Sequence, residues 1–94
     1  MLNVYSIYDK KSEHYNNPTF APTDGVVIRD LRMFLRKPGN LFSSFPEDYE
    51  LRWIGVFYED TGSVMGNDPR TVISFEDIIA LDSNIHESEV PDGN

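Results

Sequence analysis

One segment limits the fold more than any other: residues 26–37, VVIRDLRMFLRK, with apolar side chains at Val27, Ile28, Leu31, Phe34 and Leu35. At about 100° per residue these five share one face of a helix, so the helix must lie against an apolar layer. Thr23 suits an N-cap, Asp24 suits the positive end of the helix dipole, and Pro38-Gly39 stops the helix. Arg29, Arg32 and Arg36 gather in a narrow stripe beside the apolar face, with Val26 and Met33 on the stripe's other side.

The sequence on either side reads as strands. Residues 3–8, NVYSIY, mix β-branched and aromatic types, and a polar connection, DKKSEHYNN, follows. PTFAP at 18–22 has proline at both ends, so as a strand it belongs at a sheet edge, paired back on the first. Leu41, Phe42 and Phe45 in the loop 40–47 are expected to fold back as a lid on the core. Residues 49–58, YELRWIGVFY, form the second clear strand and end in a turn, Glu59-Asp60-Thr61-Gly62. After a GNDP break, residues 70–74 are expected to be its partner. Ser74 to Asp77 matches a capping box ahead of a short helix over IIAL. The fold class predicted is α+β: a small antiparallel sheet of about four strands in the order β-β-α-β-β, one long helix packed on one face, and a short C-terminal helix. Residues 1–81 form a single domain in this reading, and residues 82–94 an acidic, disordered tail.

With 94 residues and no cysteine, the chain must build its core without disulfides or thiolate metal sites, and the 13% aromatic share means that rings supply much of the burial. The opening MLNVYSIYDKK reaches charge too soon for a signal peptide, and no apolar run is long enough to cross a bilayer, so a soluble protein with no membrane partner is expected. The net charge is −8, but six of the acids fall at or after Glu76, where there is no Lys or Arg, leaving −2 for residues 1–75. Such a surface repels phosphate backbones at long range and leaves only a local basic patch for nucleic acid.

VYSIYD at 4–9, FAPTDGVVIRD at 20–30 and FPEDYELRWIGVFYEDTG at 45–62 together resemble the small nonstructural protein of gokushovirus-type microviruses, bacteriophages with single-stranded DNA genomes. The resemblance covers most of residues 4–62 and implies a protein of the host cell cytoplasm, absent from the virion. It also implies a part in viral DNA replication, by binding DNA or by acting on the replication machinery, and offers no catalytic residues.

The residues themselves point away from an enzyme. His14 falls in a predicted loop and His86 in the predicted tail, and no serine sits in a nucleophile elbow. The acid pairs Glu47-Asp48, Glu59-Asp60 and Glu76-Asp77 lack the register of a calcium loop and read as caps and turns. Gly55, Gly62 and Gly66 make no phosphate cradle; they read as a strand-packing site and turns. No cofactor or metal is expected. Strict alternation along 49–58 puts Leu51, Trp53 and Phe57 on one face and Arg52, Ile54, Val56 and Tyr58 on the other. The candidate binding residues are therefore Arg29, Arg32 and Arg36 on the helix and Arg52 beside Tyr58 on the open sheet face. The leading expectation is a non-enzymatic accessory protein acting through contacts with viral or host replication proteins, as a homo-oligomer. The alternative is a single-stranded DNA binder using the arginine stripe and the strand aromatics.

Overall fold

The computed structural model describes residues 1–82; the expected disorder of the tail, apart from Asp82, lies outside them. The long strand β1 (Leu2–Asp9) runs antiparallel to β4 (Tyr49–Tyr58), from Leu2 opposite Phe57 to Asp9 opposite Tyr49. The other edge of β1 takes two short strands in succession, β2 (His14–Tyr15) and β3 (Thr19–Ala21). Beyond β4 lies β5 (Ser63–Ser74), giving the order β2-β1-β4-β5 with β3 also on β1. Pro18 and Pro22 flank β3 at the sheet edge, where a missing N–H leaves no ladder bond unmade.

Among the described residues, three helices cover one face of this sheet. The first, α1 (Asp24–Leu35), starts at Thr23, whose hydroxyl accepts a hydrogen bond from the Val26 N–H. The helix begins directly after Thr23, the expected N-cap, and ends two residues before Lys37, because Arg36 already lies beyond its last turn. A short helix, α2 (Leu41–Ser44), and a 3-10 turn (Pro46–Asp48) occupy the segment read as a loop. Only Phe42 works as its lid, packing against Phe34, Tyr49 and Phe75, whereas Leu41 and Phe45 are exposed. The next helix, α3, runs from residue 75 through residue 82, the last described; Ser74 caps it by accepting from the Asp77 N–H.

The core lies between these helices and the sheet. Tyr5, Leu51, Phe75 and Ile78 are almost wholly excluded from solvent, joined by Ala21, Val27, Leu35 and Tyr49. Tyr5 also closes the polar seam between sheet and helix: its hydroxyl donates to the Asp24 carboxylate at 2.5 Å. Burial pushes the Tyr5 phenol well above its ordinary value, and the bond to Asp24 and that residue's charge push it the same way. A phenol that holds its proton more tightly in the folded state contributes stability below the unfolded value of about 10 and loses it as pH rises further. The wild type is therefore expected to lose stability as the pH rises from about 10 to about 12, and Tyr5→Phe to flatten that fall. Urea unfolding across this range checks it, and an equal slope in the variant would contradict it. Burial raises Tyr49 as well, so some slope persists in Tyr5→Phe.

Two expectations about the second hairpin are corrected. The partner of β4 begins at Ser63, directly after the four-residue turn closed by Gly62 at φ 77°, and not at residue 70. The Gly66-Asn67-Asp68-Pro69 stretch does not break β5. Arg70 pairs with Trp53 and Gly66 with Gly55, so residues 67–69 are accommodated as an irregularity on the outer edge, where Pro69 is tolerated. Gly66 is thus a strand residue and not a turn.

The second correction concerns the faces of β4. Trp53 pairs with Tyr5 and Gly55 with Val4, two steps on β4 against one on β1, so Ile54 is an inserted bulge residue. The bulge reverses the alternation beyond it. Leu51 and Trp53 face the helices, whereas Phe57 joins Leu2 and Val4 on the opposite face, and Val56 and Tyr58 move to the helix side.

Candidate recognition surface

The face of the sheet turned away from the helices carries Leu2, Val4, Ser6 and Tyr8 from β1, with Glu50, Arg52, Gly55 and Phe57 alongside on β4. Tyr15, Phe20, Val64 and Thr71 join it through their pairings. Among the described residues no helix covers this face. Tyr15 is 40% exposed, Phe20 47% and Val64 64%, so apolar area stays in water that folding has not removed.

The surface has two halves. At one end Phe20 and Phe57 meet edge to face, with ring centroids 5.6 Å apart, and Val4 lies buried between Phe20 and Gly55 in register. At the other, the Arg52 guanidinium lies 3.9 Å over the Tyr8 ring and donates to the Tyr15 hydroxyl at 2.7 Å. The Tyr8 and Tyr15 rings are themselves 4.7 Å apart. Glu50 accepts from Arg52 at 2.6 Å and from the Thr71 hydroxyl at 2.9 Å. Burial alone raises the Glu50 carboxyl, but the bonds from Arg52 and Thr71 outweigh it and hold the group below the usual carboxylate range. Arg52 is thus a neutralised member of a polar and aromatic cluster. Ser6, buried between the two halves, gives its hydroxyl to the Asn16 carbonyl at 2.6 Å.

The residues singled out in the sequence separate into different places. Arg52 lies on the open face, but with Tyr8 and Tyr15; the bulge at Ile54 puts Tyr58 on the other side, so the expected Arg52–Tyr58 pair does not form. Tyr15 is the member that sequence reasoning missed, because it sat in a segment read as a connection and only its pairing with Tyr8 brings it to the site. Arg29 is exposed on α1. Arg32 and Arg36 converge on Asp82 at the end of the described part of α3: Arg32 donates from Nε and Nη2 at 2.9 and 2.7 Å, and Arg36 from the same two atoms at 2.9 Å each. The guanidinium groups of Arg36 and Arg32 hold the Asp82 carboxyl far below the usual range.

An open cleft of about 680 Å3 lies where the edge strand is interrupted between β2 and β3. Ile7, Val27, Leu31 and Leu51 line its apolar part and Asp30 supplies its one carboxylate, with no histidine among the lining residues. His14 is exposed on β2, its Nδ1 2.7 Å from the Ser12 carbonyl, and His86 lies outside the described residues. Among the described residues, no three His, Asp or Glu side chains stand together as a metal site, and no helix is long and apolar enough to cross a membrane.

Fold and surface define a small α+β protein with an open-faced antiparallel sheet, helices on one side and aromatic side chains on the other. The chain belongs to the Phage ORF5 protein family, which matches residues 2–78, and is thus a bacteriophage protein. The matched stretch runs from the first residue of β1 to Ile78 and takes in every strand of the described residues and both buried anchors of α3. No curated protein and no solved structure matches the chain.

Proposed function

We propose that this is the nonstructural accessory protein of a gokushovirus-type phage, and that it modulates replication of the single-stranded DNA genome in the host cytoplasm by contacting viral or host replication proteins, without catalysing a reaction. The observation that carries the reading is the uncovered sheet face, where Tyr15, Phe20 and Val64 stay partly exposed beside the Arg52 cluster. Aromatic side chains with an arginine among them supply the kind of contact that dominates protein interfaces. The exposure of Val64 and Met65 on the edge strand β5 supports self-association as well.

The electrostatics favour a protein partner over DNA. The chain carries a net charge of −8, Arg52 is neutralised by Glu50, and Arg32 and Arg36 are engaged by Asp82. Single-stranded DNA binding is the second reading, supported by the Tyr8, Tyr15 and Arg52 cluster, since sheets that bind single strands stack bases on such rings. Affinity capture of the tagged protein from infected cells, scored for replication proteins and nucleic acid, separates the two. The proposal expects replication proteins that survive nuclease treatment. Recovery of nucleic acid alone, with affinity for unlabelled competitor strands that falls steeply with salt, would favour the second reading.

A further inference from the structure

The pairing of Arg32 and Arg36 with Asp82 is separate from the open sheet face and lies on the helical side of the molecule. The two arginines stand one helical turn apart, so their guanidinium forks reach the same point. Three of the four donated bonds, Arg32 Nε, Arg32 Nη2 and Arg36 Nη2, end on one oxygen of Asp82, and only Arg36 Nε reaches the other. One carboxylate oxygen is asked to accept more donors than it has lone pairs, whereas a phosphate spreads the same donors over more oxygens in a geometry that arginine forks match. Arg29, exposed and one turn before Arg32, extends the basic surface along α1.

The hold of Asp82 is also local. Helix α3 is anchored at its start, where Phe75 and Ile78 are fully buried, while Leu81 in its last described turn is 36% exposed. Lifting Asp82 from the arginines leaves both anchors in place, so the contact can open without the loss of the core. Arg36 is itself 61% exposed at the side chain, which gives an incoming group access to the fork.

We infer that Arg32 and Arg36 form a phosphate-binding site that Asp82 keeps closed, and that the phosphate oxyanion it takes when open is that of a single-stranded nucleic-acid backbone or a free phosphate. Asp82 acts as the internal anion that an outside phosphate must displace. The site accounts for a phage protein with an arginine stripe and a net negative charge, because binding is suppressed until the carboxylate leaves.

The test is fluorescence anisotropy with a labelled oligo-dT strand at low salt, comparing wild type, Asp82→Asn, and the triple variant Arg32→Gln/Arg36→Gln/Asp82→Asn, with pyrophosphate as a competitor. Asp82→Asn is expected to bind at least about tenfold more tightly than wild type, and the triple variant to return to the wild-type level. Strand binding that millimolar pyrophosphate competes away places the backbone phosphates at the arginines, and strand binding that it leaves unchanged overturns the inference. Stabilisation of Asp82→Asn by pyrophosphate without strand binding marks the free anion. Asp82→Asn that binds neither probe better than wild type, or a gain that persists in the triple variant, overturns the inference. Should Asp82→Asn fail to fold by circular dichroism, Asp82→Ser, which also removes the carboxylate, replaces it in the same titrations and is read by the same outcomes.

Discussion

Replacing Gly55 with alanine is expected to destabilise the protein by at least about 3 kcal/mol, a large part of the roughly 4–12 kcal/mol available to a domain of this size. A Cβ at Gly55 would lie 2.3 Å from the Met65 carbonyl oxygen and 3.2 Å from the Gly66 Cα, both backbone atoms of the neighbouring strand. No rotamer change relieves that overlap. The strands β4 and β5 would have to part at the centre of their ladder, where Gly55 faces Gly66. Gly66→Ala is the internal control, because a Cβ there meets nothing within 4 Å. It is expected to change stability by under about 1 kcal/mol. Thermal unfolding should show a midpoint lowered by more than about 12 °C for Gly55→Ala and by only a few degrees for Gly66→Ala. Equal effects at the two glycines would contradict the bulged register.

The second large effect is expected at Phe75, which is fully buried and lies against both Phe42 and Tyr49, with ring centroids 5.7 and 5.9 Å away. Truncation to alanine removes the anchor of α3 and leaves a cavity where three rings meet, at a cost of about 3–5 kcal/mol in urea unfolding. Phe20→Ala, on the open face and 47% exposed, is expected to cost about 1 kcal/mol or less. The contrast measures the asymmetry of the sheet directly: one face is core and the other is surface. Similar losses at Phe20 and Phe75 would mean that the open face is covered in solution.

The elements themselves were legible in the sequence because each carries a local signal. Thr23 and the spacing of Val27, Leu31 and Leu35 mark α1, the β-branched and aromatic runs mark β1 and β4, and Gly62 marks the turn. The faces were not legible beyond Trp53, because alternation has period two and one inserted residue reverses it. Gly55 and Gly66 inside strand-like runs, and Pro69 near them, were the available sign of an irregular ladder. Reading them as a packing site and a turn hid the bulge and placed Phe57 and Tyr58 on the wrong sides.

The site was harder to see for a related reason. Tyr15 reaches Arg52 across 37 positions of sequence, and Asp82 reaches Arg32 and Arg36 across 50 and 46. Such meetings are fixed by strand register and helix docking, which no local pattern encodes. The arginine stripe was visible as a stripe, but its occupation by Asp82 was not. Likewise the short β2 hid in a polar connection: Glu13 closes its turn at φ 60° without the glycine that would have announced it.

If the uncovered sheet face makes the contacts by which this phage protein acts, disrupting it must cost the phage its DNA. The measurement is the accumulation of viral single-stranded DNA in cells infected with phage whose copy of this gene is inactivated, supplied with wild type or with Tyr8→Ser/Tyr15→Ser/Arg52→Ser. The account expects the variant to stay folded, since all three residues lie outside the main core, and to fail to restore the accumulation that wild type restores. A folded variant that restores it fully would contradict the account.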